Sequence, residues 1–286
     1  MDIKFHCSES GNFKNENQSV RAFTYKDYYI DSHNHDFYEM NIVLGGTGTH
    51  RIRDSSFAVK RGDVFVIPPM SPHAYDTTDR LEVYHVLLKK DFVKENENEA
   101  KAMPGYLQFM ELAPFLRQNG VESMFLRLTP MQTNEILREL KSIEDGGELD
   151  KSGLAAIANH TAWRVIYYLS YLLDEQNKRE GSDAVESKYR RQILDTLEYI
   201  SLNFSKKITV ESLATKVYLS RSTFLRNFRL VCGCSPTEYL VRYRVKKALE
   251  LLESGNMSKT EVAHLTGFYD LSHMERCIKN QKTDSS

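Results

Sequence analysis

The sequence predicts an α+β protein with two domains, a β-barrel or sandwich followed by an all-helical domain. Up to about residue 92, short alternating apolar runs are separated by glycine and proline, which is typical of small all-β domains. From about residue 104 onward, the apolar residues recur with the helical period. The chain has 286 residues, with 38 Lys or Arg against 39 Asp or Glu, a composition that favours a soluble globular protein over a disordered one.

Three runs in the first part predict strands, at 49–53, 63–67 and 81–87. Turn-forming pairs that contain glycine or proline separate these runs. Several short strands at this spacing suggest a sandwich or a small barrel. We therefore assign residues 1–95 to a barrel.

Helical periodicity is clearest over 154–173, where apolar residues leave a broad face that could pack on the barrel or on a second copy. We assign 96–175 to a helical segment that pairs two protomers in a homodimer. Residues 176–188 are rich in Glu, Lys, Asn, Ser and Gly and predict a linker. Residues 189–286 then predict a domain of short helices.

The near-zero net charge hides two opposite halves. From Val185 onward there are 17 Lys or Arg and 11 Asp or Glu, a net +6, and the preceding residues have 21 and 28, a net −7. The segment from Lys206 to Lys247 contains ten basic residues and only two acidic ones. Such a patch favours a polyanionic partner, although a solvated helical face is the alternative explanation.

Cysteine use and the N-terminus indicate a reducing compartment. Four scattered cysteines do not form a disulfide framework, and Cys232 and Cys234 lack a second Cys/His pair and are expected to be packing residues. The chain opens with no apolar signal region, and no apolar run approaches the roughly 18 residues that span a bilayer. We therefore expect a cytoplasmic protein with no membrane contact.

A cluster of polar residues in the barrel predicts an effector site. His33, His35 and Glu39 share the odd positions of an extended segment, so their side chains should point to one face, and His73 follows a Pro-Pro turn. Imidazoles and a carboxylate bind a divalent metal, or they hydrogen-bond a polyhydroxylated ligand. Neighbouring aromatic rings, Tyr38 among them, would stack on a sugar ring. The predicted effector-binding residues are His33, His35, Glu39, His73 and Tyr38.

At these residues the sequence resembles the cupin superfamily. The first cupin motif is matched by His33, His35, Glu39 and Gly46, and the second by Gly62, Pro68 and His73. Met70 replaces a later glycine of the second motif. The resemblance implies a cupin-like barrel, in which the four polar residues hold a catalytic metal in enzymes and an effector in sensors. We expect no cofactor, with a divalent metal at His33, His35, Glu39 and His73 as the alternative.

The helical domain contains a pattern that suits DNA. Ser220 should cap a helix in which Phe224 and Phe228, four residues apart, are buried. The remaining side of this helix is polar and basic and fits a major groove, where Arg pairs with guanine or phosphate. The predicted DNA-binding residues of this helix are Arg221, Ser222, Thr223, Leu225, Arg226 and Arg229.

The helical domain as a whole resembles the AraC/XylS family of transcription regulators. The family pattern is matched in order by Ile208-Thr209, Leu213-Ala214, Leu219-Ser220, Phe228, Gly233, Ser235-Pro236, Tyr239-Leu240, Arg244, Ala248, Leu251-Leu252, Val262-Ala263 and Gly267-Phe268. The resemblance implies two helix-turn-helix units on double-stranded DNA, with RNA polymerase as a further partner and either activation or repression as the outcome. In the second unit it implies that Leu271, Ser272, Glu275 and Arg276 face outward and bind DNA.

The sequence departs from the family pattern after Gly267-Phe268. His273-Met274 and Ile278 stand where the family has aromatic residues, and no Gly-x-Thr-Pro turn follows Lys279. We therefore expect weaker or one-sided DNA binding.

The whole chain is thus expected to be a DNA-binding regulator controlled by a small effector, a sugar in first place, and not an enzyme. One rival is a metal-dependent isomerase or dioxygenase, or a metal sensor. Another is a DNA-binding protein whose barrel only dimerises.

Overall fold

The computed structural model describes residues 3–283 except 54, 104, 119–125, 147–151, 181–184, 254 and 256. The chain forms two compact units, Met1–Asn177 and Lys178–Ser286, called here the N-terminal unit and the C-terminal unit. Over the described residues, no helix combines the length and the apolar character that crossing a bilayer requires.

The N-terminal unit is a sheet flanked by helices. Its strands are β1 Phe5–Cys7, β2 Val20–Tyr25, β3 Ile30–His35, β4 Tyr38–Ile52, β5 Ser55–Lys60, β6 Asp63–Ile67, β7 His73–Leu88 and β8 Leu126–Arg127. Its helices are α1 Glu9–Asn12, α2 Lys90–Ala100, a π-helix Gln108–Leu112, α3 Ala113–Gln118, α4 Pro130–Gly146 and α5 Ser152–Glu180.

Two long strands, β4 and β7, bring distant parts of the sheet together. The strand order is β1-β3-β7-β4-β6-β8, with β2 also on β7 and β5 also on β4. The β4–β7 register shifts between Val43 and Gly48. Gly46 has φ +70° there, and a Cβ on it would collide with the carbonyl oxygens of Asp79 and Arg80. The pair bends at this point, and its two halves enclose a core.

The two faces of the sheet pack against different parts of the N-terminal unit. Alternate residues of β4 and β7, such as Val43 and Val83, are buried with Tyr75 of the opposite half. The other face, with Met40 and Val86, packs on the helices around Trp163. This alternation sends every second β4 side chain into the enclosed space.

Several predicted boundaries differ from the observed ones. The segment 33–39 is not one strand, because β3 ends at His35 and β4 begins at Tyr38. The sheet also takes β8 from outside the predicted 1–95 range, since β8 pairs with β6. The predicted linker 176–188 is helical at both ends, where α5 ends and α6 begins. Its residues 181–184 lie outside the described residues.

The C-terminal unit is helical throughout. Its helices are α6 Val185–Asn203, α7 Val210–Lys216, α8 Arg221–Cys232, α9 Pro236–Glu253, α10 Lys259–Leu265 and α11 Leu271–Thr283. The pairs α7–α8 and α10–α11 are two helix-turn-helix units, called HTH1 and HTH2 below.

Helix α9 joins the two cores. Its Tyr239 ring lies 5.8 Å from the Phe228 ring of α8, centroid to centroid. Further along α9, Val245 and Ala248 are buried in the core of HTH2. Arg244 donates to the carbonyl oxygens of Phe204 at 2.7 Å and Lys206 at 2.8 Å, so it fixes the segment that leads into α7. Because the cores of HTH1 and HTH2 both pack against α9, the two helix-turn-helix units are held together within the C-terminal unit.

Candidate effector pocket and nucleic-acid interface

Glu39 is the centre of a buried polar cluster between the two halves of the sheet. Its Oε1 accepts a hydrogen bond of 2.7 Å from Nδ1 of His85. Its Oε2 lies 3.1 Å from Nε2 of His35 and 3.6 Å from Nε2 of His73. Ligand atoms of His33, Glu39 and His73 lie within 4.8 Å of one another. The structure thus brings together all four polar residues that the cupin motifs identify.

Backbone carbonyls orient three of the imidazoles. Nδ1 of His33 lies 2.9 Å from the carbonyl of Asp31, Nδ1 of His35 is 2.7 Å from that of Phe37, and Nδ1 of His73 is 3.0 Å from that of Ser71. A carbonyl can only accept, so each Nδ1 carries the proton. In a neutral ring the lone pair is then on Nε2. For His35 and His73, the buried Nε2 makes no hydrogen bond of good geometry within the described part of the chain.

Burial and neighbouring side chains both shift the pKa values of the residues in this cluster. Burial alone would raise the pKa of Glu39, but the three histidines beside its carboxylate, His35, His73 and His85, bring it well below its ordinary value. Burial, reinforced by His73, lowers the pKa of His33 to about 4. At neutral pH Glu39 is therefore charged and His33 is neutral.

The cluster continues toward helix α3. Arg117 donates from Nε and Nη2 to Nδ1 of His50, at 3.3 and 3.2 Å. The Arg117 guanidinium also lies over the Phe57 and Phe65 rings, 4.3 and 4.6 Å from their centroids. Burial, followed by the Arg117 charge, lowers the pKa of His50 well below its ordinary value. The neutral His50 ring therefore carries its proton on Nε2.

Three further buried polar residues of the cluster, His50, His85 and Asn41, are missed by the sequence prediction. Asn41 donates to the Tyr75 hydroxyl at 2.8 Å. Asn41 and His50 lie on β4 and His85 lies on β7, and each is buried in a strand that also buries several apolar side chains. A polar residue at such a position in the period-two pattern is the signal that could have identified them.

Tyr38 is a wrong prediction for this pocket. It is adjacent to Glu39 on β4, so its side chain points to the opposite face. There it packs against the core that contains Met40 and Ile42. The alternation that directs the Glu39 side chain toward the histidines directs the Tyr38 side chain away from them.

The residues fit a divalent metal ion. Metal-binding histidines usually donate the second ring N–H to a carbonyl or a carboxylate, as His33 and His73 do here. A carboxylate in the same group supplies the charge that the ion needs. An ion held by His33, Glu39 and His73 would act as a Lewis acid toward an oxygen-bearing ligand.

Helix α8 of HTH1 has the two-sided character that the sequence predicts. Ser220 accepts from the backbone N–H of Thr223 and caps the helix. Phe224 and Phe228 are fully buried, with their centroids 5.6 Å apart. Of the predicted contact residues, Arg221, Ser222, Arg226 and Arg229 are exposed, and Thr223 and Leu225 are half-buried. Arg221 is engaged within HTH1, since its Nε lies 2.9 Å from Oε1 of Glu211.

In HTH2, helix α11 exposes Ser272, Glu275 and Arg276. Leu271 is a correction, because it packs against the HTH2 core with Met274 instead of facing outward. Glu275 accepts from Lys259 of α10 at 3.1 Å.

Two family models match the chain and together cover about two thirds of it. One describes an AraC-like ligand binding domain and matches residues 17–140. The other describes a helix-turn-helix domain and matches residues 213–285. The first contains the cluster around Glu39, and the second contains both recognition helices.

Individual proteins resemble the chain at lower identity. The HTH-type transcriptional activator RhaS of Citrobacter koseri is 26% identical over 253 residues, which are 87% of this chain and 83% of that protein. The DNA-binding domain of AdpA, solved with a target DNA, is 31% identical over 31% of this chain and 80% of its own, with a TM-score of 0.31. ToxT from Vibrio cholerae aligns over 91% of this chain and 94% of its own, at 11% identity and a TM-score of 0.37.

Proposed function

The chain belongs to the AraC family of DNA-binding transcription regulators, and from this premise we propose that it is an activator that recruits or contacts RNA polymerase under effector control. The observation that carries the DNA-binding part is the amphipathic α8. Its aromatic residues are buried, while Ser222, Arg226 and Arg229 are exposed. The protein named RhaS, to which the chain is similar, is a transcriptional activator.

DNA binding is tested with the full-length chain and a duplex selected from a random pool. We expect one preferred sequence, and an affinity that falls steeply with salt because Lys and Arg displace counterions from phosphates. A matched scrambled duplex is the control. Equal affinity for both duplexes at every salt concentration would remove the claim of sequence-specific regulation.

We propose that the effector is a carbohydrate-type molecule bound at the cluster around Glu39. Imidazole, carboxylate and amide groups of this cluster offer both donors and acceptors for hydroxyl groups. The surrounding rings include Phe23, which stacks on His85 with centroids 5.2 Å apart. Because His35 and His73 are fully buried, a sugar can reach them only after the residues that cover the cluster move, and we expect slow association.

A panel of sugars, tested by thermal shift, checks this proposal. A true ligand at 100 times its Kd should stabilise the protein by about 2.7 kcal/mol. The double variant His33→Ala/Glu39→Ala should lose the shift, while His160→Ala, an exposed histidine on α5, should keep it. Retention of the shift in the double variant would place the sugar elsewhere.

A divalent metal is the second candidate occupant, favoured by the three carbonyl-bonded Nδ1 atoms. Elemental analysis of the purified chain, and its Tm with and without a chelator, separate the candidates. Near-stoichiometric Zn, Mn or Fe and a lower Tm after chelation would favour a metal sensor or a cupin-type enzyme. A metal-free chain that responds to a sugar would favour the carbohydrate proposal.

The homodimer remains a proposal that concerns the outer side of α5. Ile157 and Tyr171 are exposed on this helix, fourteen residues apart and thus on nearly the same side. We expect Ile157→Asp/Tyr171→Asp to convert a dimer into monomers in sedimentation experiments. A wild-type chain that is monomeric at all concentrations would remove this interface.

A further inference from the structure

The turns of HTH1 and HTH2 end their first helices in the same way. In HTH1, Leu219 N donates to Ala214 O at 3.0 Å and Tyr218 N to Thr215 O at 3.1 Å. In HTH2, Phe268 N donates to Ala263 O at 3.0 Å and Gly267 N to His264 O at 3.1 Å. This double hydrogen bond requires a left-handed residue just after the helix, usually glycine. Tyr218 and Gly267 are therefore equivalent positions.

These equivalent positions carry very different residues. Gly267 has φ +77°, and a Cβ on it would lie 2.6 Å from the carbonyl oxygen of Ser205, so the packing requires glycine. Tyr218 has φ +56°, a conformation that is unfavourable for a residue with a Cβ. The side chain of Tyr218 is 94% exposed, so packing does not compensate for this cost.

HTH2 also carries an exposed tyrosine in its turn. Tyr269 is 87% exposed and directly precedes Asp270, whose Oδ1 accepts from the backbone N–H of His273 at 2.7 Å and so caps α11. Tyr218 stands two residues before Ser220, the cap of α8. In both units a nearly fully exposed tyrosine thus leads into the recognition helix.

We propose that Tyr218 and Tyr269 donate their hydroxyl groups to DNA phosphates, one beside each recognition helix. When the first turns of a recognition helix enter the major groove, the preceding turn comes close to the phosphate backbone. Tyrosine is one of the neutral side chains that bind phosphate oxygens. Around Tyr218 the exposed neighbours Lys216 and Arg221 are basic, which favours DNA over an acidic protein surface.

This assignment rests on the proposed DNA-binding function and explains the cost at Tyr218. A residue that strains the free protein and packs on nothing persists when it contributes to a complex. The hydroxyl is uncharged, so its contact adds affinity without releasing counterions. It carries no base information, so it orients the unit and does not select a sequence.

The test compares full-length variants on the selected duplex and a scrambled one by fluorescence anisotropy. Tyr218→Phe should raise Kd about tenfold on both duplexes, because a hydrogen bond to a charged acceptor is lost. The salt slope should stay at the wild-type value. Tyr218→Gly should raise Kd at least as much. It should also raise the Tm of the C-terminal unit by about 4 °C, because glycine adopts the left-handed conformation without strain. Tyr29→Phe, an exposed tyrosine of the N-terminal unit, is the matched control.

Phosphate ethylation interference identifies the phosphates that the two tyrosines contact. With the wild-type chain, ethylation of one phosphate beside each recognition helix should block binding. In Tyr218→Phe, ethylation of the phosphate beside α8 should no longer block binding. In Tyr269→Phe, ethylation of the phosphate beside α11 should no longer block binding.

The outcomes separate the inference from the function on which it rests. A wild-type chain that prefers no duplex overturns the proposed function. If Arg226→Ala weakens binding while both tyrosine variants bind like the wild type, only the tyrosine contacts are overturned. Tyrosine variants that bind DNA normally but lose activation with RNA polymerase would assign these rings to a protein partner and also overturn the phosphate contacts.

Discussion

HTH1 and HTH2 share one backbone design but differ in charge and core. Both begin with a capping box, formed by Thr209 and Ser212 in HTH1 and by Ser258 and Glu261 in HTH2. Residues 204–233 contain six Lys or Arg and one Glu, whereas residues 254–286 contain four basic and four acidic residues. The shared design fixes the fold of each helix-turn-helix unit, and from the difference in charge we expect HTH1 to supply most of the DNA affinity.

The cores of the two units also differ. Phe228 of HTH1 packs edge to face on Phe224 and Tyr239. At the position of Phe224, four residues after the cap of the recognition helix, HTH2 has the fully buried Met274. A flexible thioether adapts to irregular space, whereas paired rings require fixed geometry. HTH1 is therefore the more precisely packed unit.

The largest expected effect tests this difference in packing. Phe224→Ala should destabilise the C-terminal unit by about 3–5 kcal/mol, about 1 kcal/mol more than the matched Met274→Ala, because the larger ring and its aromatic pair with Phe228 are lost. Unfolding of the helices is followed by circular dichroism in urea. Fluorescence of Trp163, the single tryptophan, reports the N-terminal unit and should not change. A greater loss with Met274→Ala would reverse the comparison.

The next effect concerns DNA affinity. Arg226→Ala should raise the Kd for the selected duplex about 10- to 100-fold, because a paired guanine or phosphate loses its partner. Arg276→Ala, the matched change on α11, should raise it by less than about threefold. Both are measured at 100 mM salt with wild-type protein in parallel. Equal losses would show that HTH2 docks as firmly as HTH1.

The smallest effect tests how close helix α11 of HTH2 lies to the DNA phosphates. Glu275→Gln breaks an exposed ion pair with Lys259, which should cost less than about 1 kcal/mol of stability. If α11 lies near phosphates, removal of this negative charge should tighten binding a few-fold and steepen the salt slope. Unchanged affinity and slope would indicate one-sided binding through HTH1 and would also contradict the proposed phosphate contact of Tyr269.

The sequence predicts the local features of the C-terminal unit well. Thr209 and Ser220 form caps as their residue types indicate, and Phe224 and Phe228 are buried as their spacing requires. Leu271 was assigned to the outer face, although its spacing of three and seven residues from Met274 and Ile278 matches the buried stripe. Local periodicity decides these positions, so the sequence is sufficient for them.

The candidate effector cluster around Glu39 depends on contacts between residues far apart in the sequence, which local periodicity does not predict. Glu39 and His85 are 46 residues apart and meet only because β4 and β7 pair in one register. Arg117 reaches His50 from a helix outside the predicted barrel. The bend between β3 and β4 is likewise a tertiary feature, since it lets His35 and Glu39 approach from two strands. The cupin motifs identified the residues but not these partners.

The most direct test of the account is the salt dependence of DNA affinity for the wild type, Arg226→Ala and Arg276→Ala. For about six phosphate contacts, wild-type affinity should fall about 10³-fold between 50 and 200 mM salt. Arg226→Ala should lower the logarithmic slope by about one, and Arg276→Ala should leave it unchanged. A wild-type affinity that hardly changes with salt, or a slope that depends on Arg276 and not on Arg226, would contradict a DNA reader anchored by HTH1.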